Sequence, residues 1–161
     1  MASTRITKAP REQQEVTPEV QEETFTFGLP NGDVLLVGRP KTILKLKLRE
    51  IFKDHKDQLE DAEIMLMAEA FLCVRTVNGV PETIRTYAQF EGFAYRFGTD
   101  ALLDEFMYKY RRLKDPEAMD VIELAGKEAV EAGIVKPDEK LAYIQKKLQE
   151  FSKEQLGKVL S

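Results

Sequence analysis

The stretch Ala62–Val77 reads AEIMLMAEAFLCVRTV and is apolar on nearly every side, broken mainly by Glu63, Glu69 and Arg75. A helix with so little polar surface has to be covered by other elements on more than one face. Asp61 stands where an N-cap carboxylate accepts from first-turn amides, and Asn78-Gly79 supplies a stop. The pattern predicts a central helix over residues 62–76, followed by a short extended piece before Thr83, with the rest of the chain arranged around it. At 161 residues and 43% apolar content, the chain is large enough for one sizeable core.

Upstream, TFTFGL and VLLVG are short β-prone runs joined by Pro30, Asn31, Gly32 and Asp33. Asn-Gly tolerates the positive φ angles of a tight hairpin turn. Phe25 and Phe27 then share one face of the first strand, and because an isolated hairpin is marginal in water, that face must dock on something. Arg39-Pro40 opens a predicted helix through Lys56, with Leu44, Leu48, Ile51 and Phe52 on one side and Lys41, Lys45, Arg49, Lys53 and Lys56 on another.

Downstream, Thr86 caps YAQFEGFAYRF, Gly98 stops it, and Thr99 caps DALLDEFMYKYRRL, in which Leu102, Leu103, Phe106, Met107 and Tyr110 keep helical spacing. Asp115-Pro116 starts a helix closed by Gly133. Pro137-Asp138-Glu139 starts another, with Leu141, Ile144, Leu148 and Phe151 in register and Ser152 as a cap for a last turn or two. The expected fold is mainly α, a β-hairpin packed on a bundle of about five or six helices. Residues 1–23, polar and interrupted by Pro10 and Pro18, read as a flexible arm. Residues 24–113 read as the core domain and residues 114–161 as a C-terminal helical extension.

Reactive groups are scarce. His55 and Cys73 are single examples of their kind, so zinc sites assembled from cysteine and histidine are excluded by count, and so is a disulfide within the chain. His55 sits in KDHKD and reads as an exposed helix end. Carboxylate neighbours such as Glu60-Asp61 and Asp104-Glu105 point apart on a helix, which is wrong for an acid-base pair. GLPNGD lacks the glycine spacing and the Lys-Ser/Thr of a phosphate-binding loop. Both Asn-Gly turns therefore read as structural, no enzyme, cofactor or metal is expected, and the work falls to surfaces. No stretch is apolar enough to span a bilayer, and the first residues lack a hydrophobic signal core, so the expectation is a cytosolic protein with no membrane partner. The formal charge of −4 argues against whole-molecule attraction to nucleic acid. Two surface features remain: the basic side of residues 41–56, and an aromatic group running from Tyr87 to Tyr110 that exceeds what one helix face can hide.

The sequence FTFGLPNGDVLLVGRP, the basic helix, CVRTVNGVP at the end of the core helix and the helical pair through RRLKD together resemble the small tail assembly chaperones and related assembly proteins of tailed bacteriophages. The likeness covers residues 24–113. It implies a non-enzymatic protein of the host cytoplasm that binds a helical client such as the tape measure protein while tail tube subunits polymerise. Under that resemblance, Phe90, Phe93, Phe97 and Tyr110 are expected to make apolar contact with the partner, and Lys45, Arg49 and Lys53 to supply complementary charge. The alternative is a structural virion component, a head, neck or baseplate subunit whose N-terminal arm orders on a neighbour. A homo-oligomer is compatible with either. A small nucleic-acid binder is a third class, not favoured, whose binding would fade when the same cations become Glu.

Overall fold

The computed structural model describes residues 23–160, with side chains described through Glu154. Four strands form one antiparallel sheet in the order β1 (Thr24–Gly28), β2 (Val34–Gly38), β3 (Val74–Val77) and β4 (Val80–Pro81). Among the described residues six helices complete it: α1 (Leu44–Ile51), α2 (Ala62–Leu72), α3 (Tyr87–Tyr95), α4 (Asp100–Lys114), α5 (Pro116–Glu131) and α6 (Lys140–Leu160). Short 3-10 turns at Lys56–Glu60 and Pro137–Glu139 precede α2 and α6. The fold is thus mainly α with a small sheet that contains the N-terminal hairpin. The reading of residues 1–23 as an arm lies, apart from Glu23, outside the described residues.

The hub is α2. Asp61 caps it, its carboxylate accepting from the amides of Glu63 at 2.9 Å and Ile64 at 3.2 Å. Helices α1, α3, α4 and α6 and strand β3 all contact α2, as its apolar circumference requires. Phe71 is the centre of the main core, within ring contact of Phe90, Phe93, Phe97 and Phe106. Phe25 and Phe27 of β1 meet Phe106 from the other side, which docks the hairpin. A second apolar cluster joins Met119 and Ile122 of α5 to Ile144 and Leu148 of α6. There Gly126 lets the two helices approach, since a Cβ on it would fall 2.8 Å from Ile144 Cγ1. Helix α5 also packs on α4 and α6 on α2, and residue 114, the first of the expected extension, is the last of α4.

The structure departs from the sequence expectations in four places. The central helix stops at Leu72 rather than residue 76, and Val74–Val77 is a strand. Its β-branched Val74, Thr76 and Val77 suit the sheet, and pairing with β2 (Leu35 with Val77, Val37 with Val74) offers more than another helical turn. Helix α1 spans Leu44–Ile51, shorter than the Pro40–Lys56 run expected. Ser152 caps nothing: α6 continues through it to Leu160, and it is buried.

The fourth departure concerns the turns. Asn78 and Gly79 both have positive φ, 55° and 82°, between the paired Val77 and Val80, the two-residue turn that Asn-Gly favours. In the first hairpin only Gly32 is positive, at 96°. There Leu29 N–H donates to Asp33 at 2.8 Å and Gly32 N–H to Leu29 at 3.0 Å, so the loop is longer. Pro30 is the cause, because it has no N–H to close a two-residue turn and instead sets the first corner of a wider one. The two turns touch each other. Asn78 Nδ2 donates to Asp33 Oδ1 at 2.8 Å, and Val34 N–H donates to Asn78 Oδ1 at 2.9 Å.

Candidate functional site

The expected aromatic contact residues are not on the surface. Phe90, Phe93, Phe97 and Tyr110 are all buried, Tyr110 completely, because the first three pack on Phe71 and the Tyr110 hydroxyl reaches Glu69 and Cys73. That corrects the assignment of these four residues as a docking face. Lys45 and Arg49 are exposed on α1 and Lys53 is exposed just past its C-terminal end, with Lys53 Nζ 3.4 Å from Glu50 of α1.

The open apolar surface lies elsewhere. A trough of about 1460 Å³ runs between β1, α2, α4 and α6, floored by Phe25, Leu66, Met67, Leu103, Met107 and Leu141. Each part has a local cause. Helix α2 has more apolar sides than the fully buried core uses, so Leu66 and Met67 are half-buried, packed against the core and bordering the trough. On α4, Leu103 and Met107, four residues apart, flank the buried Phe106 and Tyr110 and are themselves half-buried against the core. Leu141 stands in the first turn of α6 and is 61% exposed. The rim carries Glu63, Asp100, Asp104 and Glu105, all exposed. Of the cations nearby, Arg112 is engaged by Asp120 at 2.6 Å and by Glu123, and Arg111 donates to the Leu148 carbonyl at 3.2 Å. The volume exceeds the roughly 300–1,000 Å³ of ordinary small-molecule sites and suits a polypeptide segment.

Beneath the trough, Tyr110 donates to Glu69, Lys114 Nζ lies 2.7 Å from Glu69, and the Tyr110 hydroxyl is 3.5 Å from Cys73 Sγ. Burial pushes the Cys73 thiol up from 9.0 to about 11, reinforced by the Glu69 charge and partly offset by the Tyr110 hydrogen bond. Burial likewise raises the Tyr110 hydroxyl far above its ordinary range. A nucleophilic cysteine needs the opposite shift, so this cluster reads as a satisfied core network. A smaller cavity of about 80 Å³ lies between α2, α4, α5 and α6. In its wall the Ser152 hydroxyl has no hydrogen-bond partner among the described residues. Leu148, the carbonyl one turn back that a helical serine commonly bonds, already accepts from Arg111.

His55 is half-buried and lies flat on Tyr87, ring centroids 3.8 Å apart. Among the described residues no group of three or more His, Cys, Asp or Glu side chains is placed to hold a metal ion. No helix of the described residues is long and apolar enough to cross a membrane. Comparison of the chain with protein-family models, with curated proteins and with solved structures gives no match in any of the three.

Proposed function

We propose that the protein is a non-enzymatic assembly factor of a tailed bacteriophage, a tail assembly chaperone that holds a helical client such as the tape measure protein. The observation that carries this reading is the open trough between β1, α2, α4 and α6, lined by leucine and methionine. An amphipathic helix lays its apolar face into such a groove, and methionine adapts to clients of irregular shape. The resemblance of residues 24–113 to phage assembly proteins supplies the biological setting. The contact role moves from the buried phenylalanines to Leu66, Met67, Leu103 and Met107.

The test is co-expression of the tagged chain with the tail proteins of its own genome, followed by mass spectrometry of the captured material and of purified particles. The expected result is a long helical protein in the capture and none of this chain in particles. Substituting Met107 with Glu should reduce capture at least about tenfold, since it places a charge on the apolar floor. Presence in particles at fixed stoichiometry would overturn the chaperone reading in favour of a virion subunit.

A further inference from the structure

The outer face of α1 is a second exposed apolar surface. Ile43, the N-cap residue, and Leu46 are 52% and 63% exposed there, three residues apart, while Leu44, Leu48 and Ile51 hold the helix to the core. Lys45, Lys47, Arg49 and Lys53 flank them, and residues 39–56 carry seven Lys or Arg against Glu50 and Asp54. The surface is a short basic amphipathic helix.

The trough has the complementary character. Its floor is apolar, and its lining carries the carboxylates Glu23, Glu63, Asp100, Asp104 and Glu105 against the cations Lys109, Arg111 and Arg112, so acidic groups are in excess. No residue of α1 lines the trough, so the two surfaces are separate on one copy and available to join two. We propose that α1 of one copy docks in the trough of a second copy, with Ile43 and Leu46 on the leucine-methionine floor and Lys45, Arg49 and Lys53 against the acidic rim.

Such a contact joins two different patches. It is heterologous and grows head to tail into a ring or a filament instead of stopping at a two-fold dimer. The inference goes beyond client binding and shares with that reading only the premise that the trough receives a helix. Where both hold, client and α1 compete for one groove, and client binding dissolves the self-assembly.

Sedimentation velocity on the full chain tests it. At about 10 mM salt, where charges act over about 30 Å, the chain should form species larger than a dimer; at about 1 M these should weaken at least about tenfold. Leu46→Glu spoils the α1 surface, and Asp104→Lys with Glu105→Lys spoils the trough. Both sets of positions are exposed, and circular dichroism checks that the variants fold. Each variant alone should be monomeric. Mixed in equal amounts they should form dimers and nothing larger, because each brings one intact half. A wild-type chain that stays monomeric at every salt overturns the proposal and leaves the trough to a client. Oligomers that ignore both variants, or a mixture that stays monomeric, also overturn it. Capture of the client by Leu46→Glu separates the two readings, since that variant keeps an intact trough.

Discussion

At the scale of single residues, Asn78 has the most structural work concentrated in it. Its backbone adopts φ of 55°, its side-chain Oδ1 accepts from Val34 N–H, and its side-chain Nδ2 donates to Asp33. Hydrogen bonds from Asn78 first and Asn31 second hold the Asp33 carboxyl below its usual range. Asn78→Ala removes the clasp and places a poorly tolerated residue in left-handed backbone, so a loss of about 1–2 kcal/mol is expected from urea denaturation. Asn78→Gly keeps the backbone freedom and loses only the side-chain bonds, so it should retain more of the stability than Ala. If the two variants were equal, the clasp rather than the backbone would carry the effect. The turn chemistry was legible in the sequence as Asn-Gly at both sites. That one asparagine would staple both turns was not, because it depends on β2 and β3 being neighbours across an insertion of two helices.

At the scale of elements, the caps were the most readable features. Asp61, Thr86, Thr99 and Asp115 all accept from first-turn amides as their positions suggest, Thr86 within a full capping box with Gln89. What local pattern missed was competition for a partner. Val74–Val77 continues an apolar run and could extend a helix, yet β2 needs a neighbour. On α4, the positions Leu102, Leu103, Phe106, Met107 and Tyr110 showed too many apolar residues for one face. Which of them would be enclosed depended on Phe71 and on where α6 lands. The α5–α6 contact yields a prediction at this scale. On an exposed helix Gly→Ala gains about 1 kcal/mol, but at Gly126 the added methyl meets Ile144 at 2.8 Å. Gly126→Ala should therefore lower the thermal midpoint, and combining it with Ile144→Ala should turn that step favourable relative to Ile144→Ala alone.

At the scale of the whole molecule, the shared element is α2, and Cys73 at its C-cap is a native reporter of it. The thiol is 1% exposed, so it should react with a thiol reagent at the rate at which the core opens, and Leu35→Ala should accelerate labelling. Its titration has a definite sign. The unfolded thiol deprotonates near 9.0 while the folded one holds its proton to about 11, so in that window the unfolded state binds fewer protons and stability falls as pH rises. The loss should be on the order of 2 kcal/mol from the thiol. Tyr110, raised in the same direction, adds to it. Urea midpoints across that window check this, and Cys73→Ala should flatten the slope. The arrangement of α2 under α6 has a further bearing on synthesis. Its outward side waits for a cover that the ribosome makes nearly ninety residues later, about 4–18 s at ~5–20 residues per second. For that interval the nascent chain presents the side of α2 that carries Ala62 and Met65, which faces Phe151 of α6 in the finished fold, so holdase chaperones should find it there during translation and release it once α6 is complete.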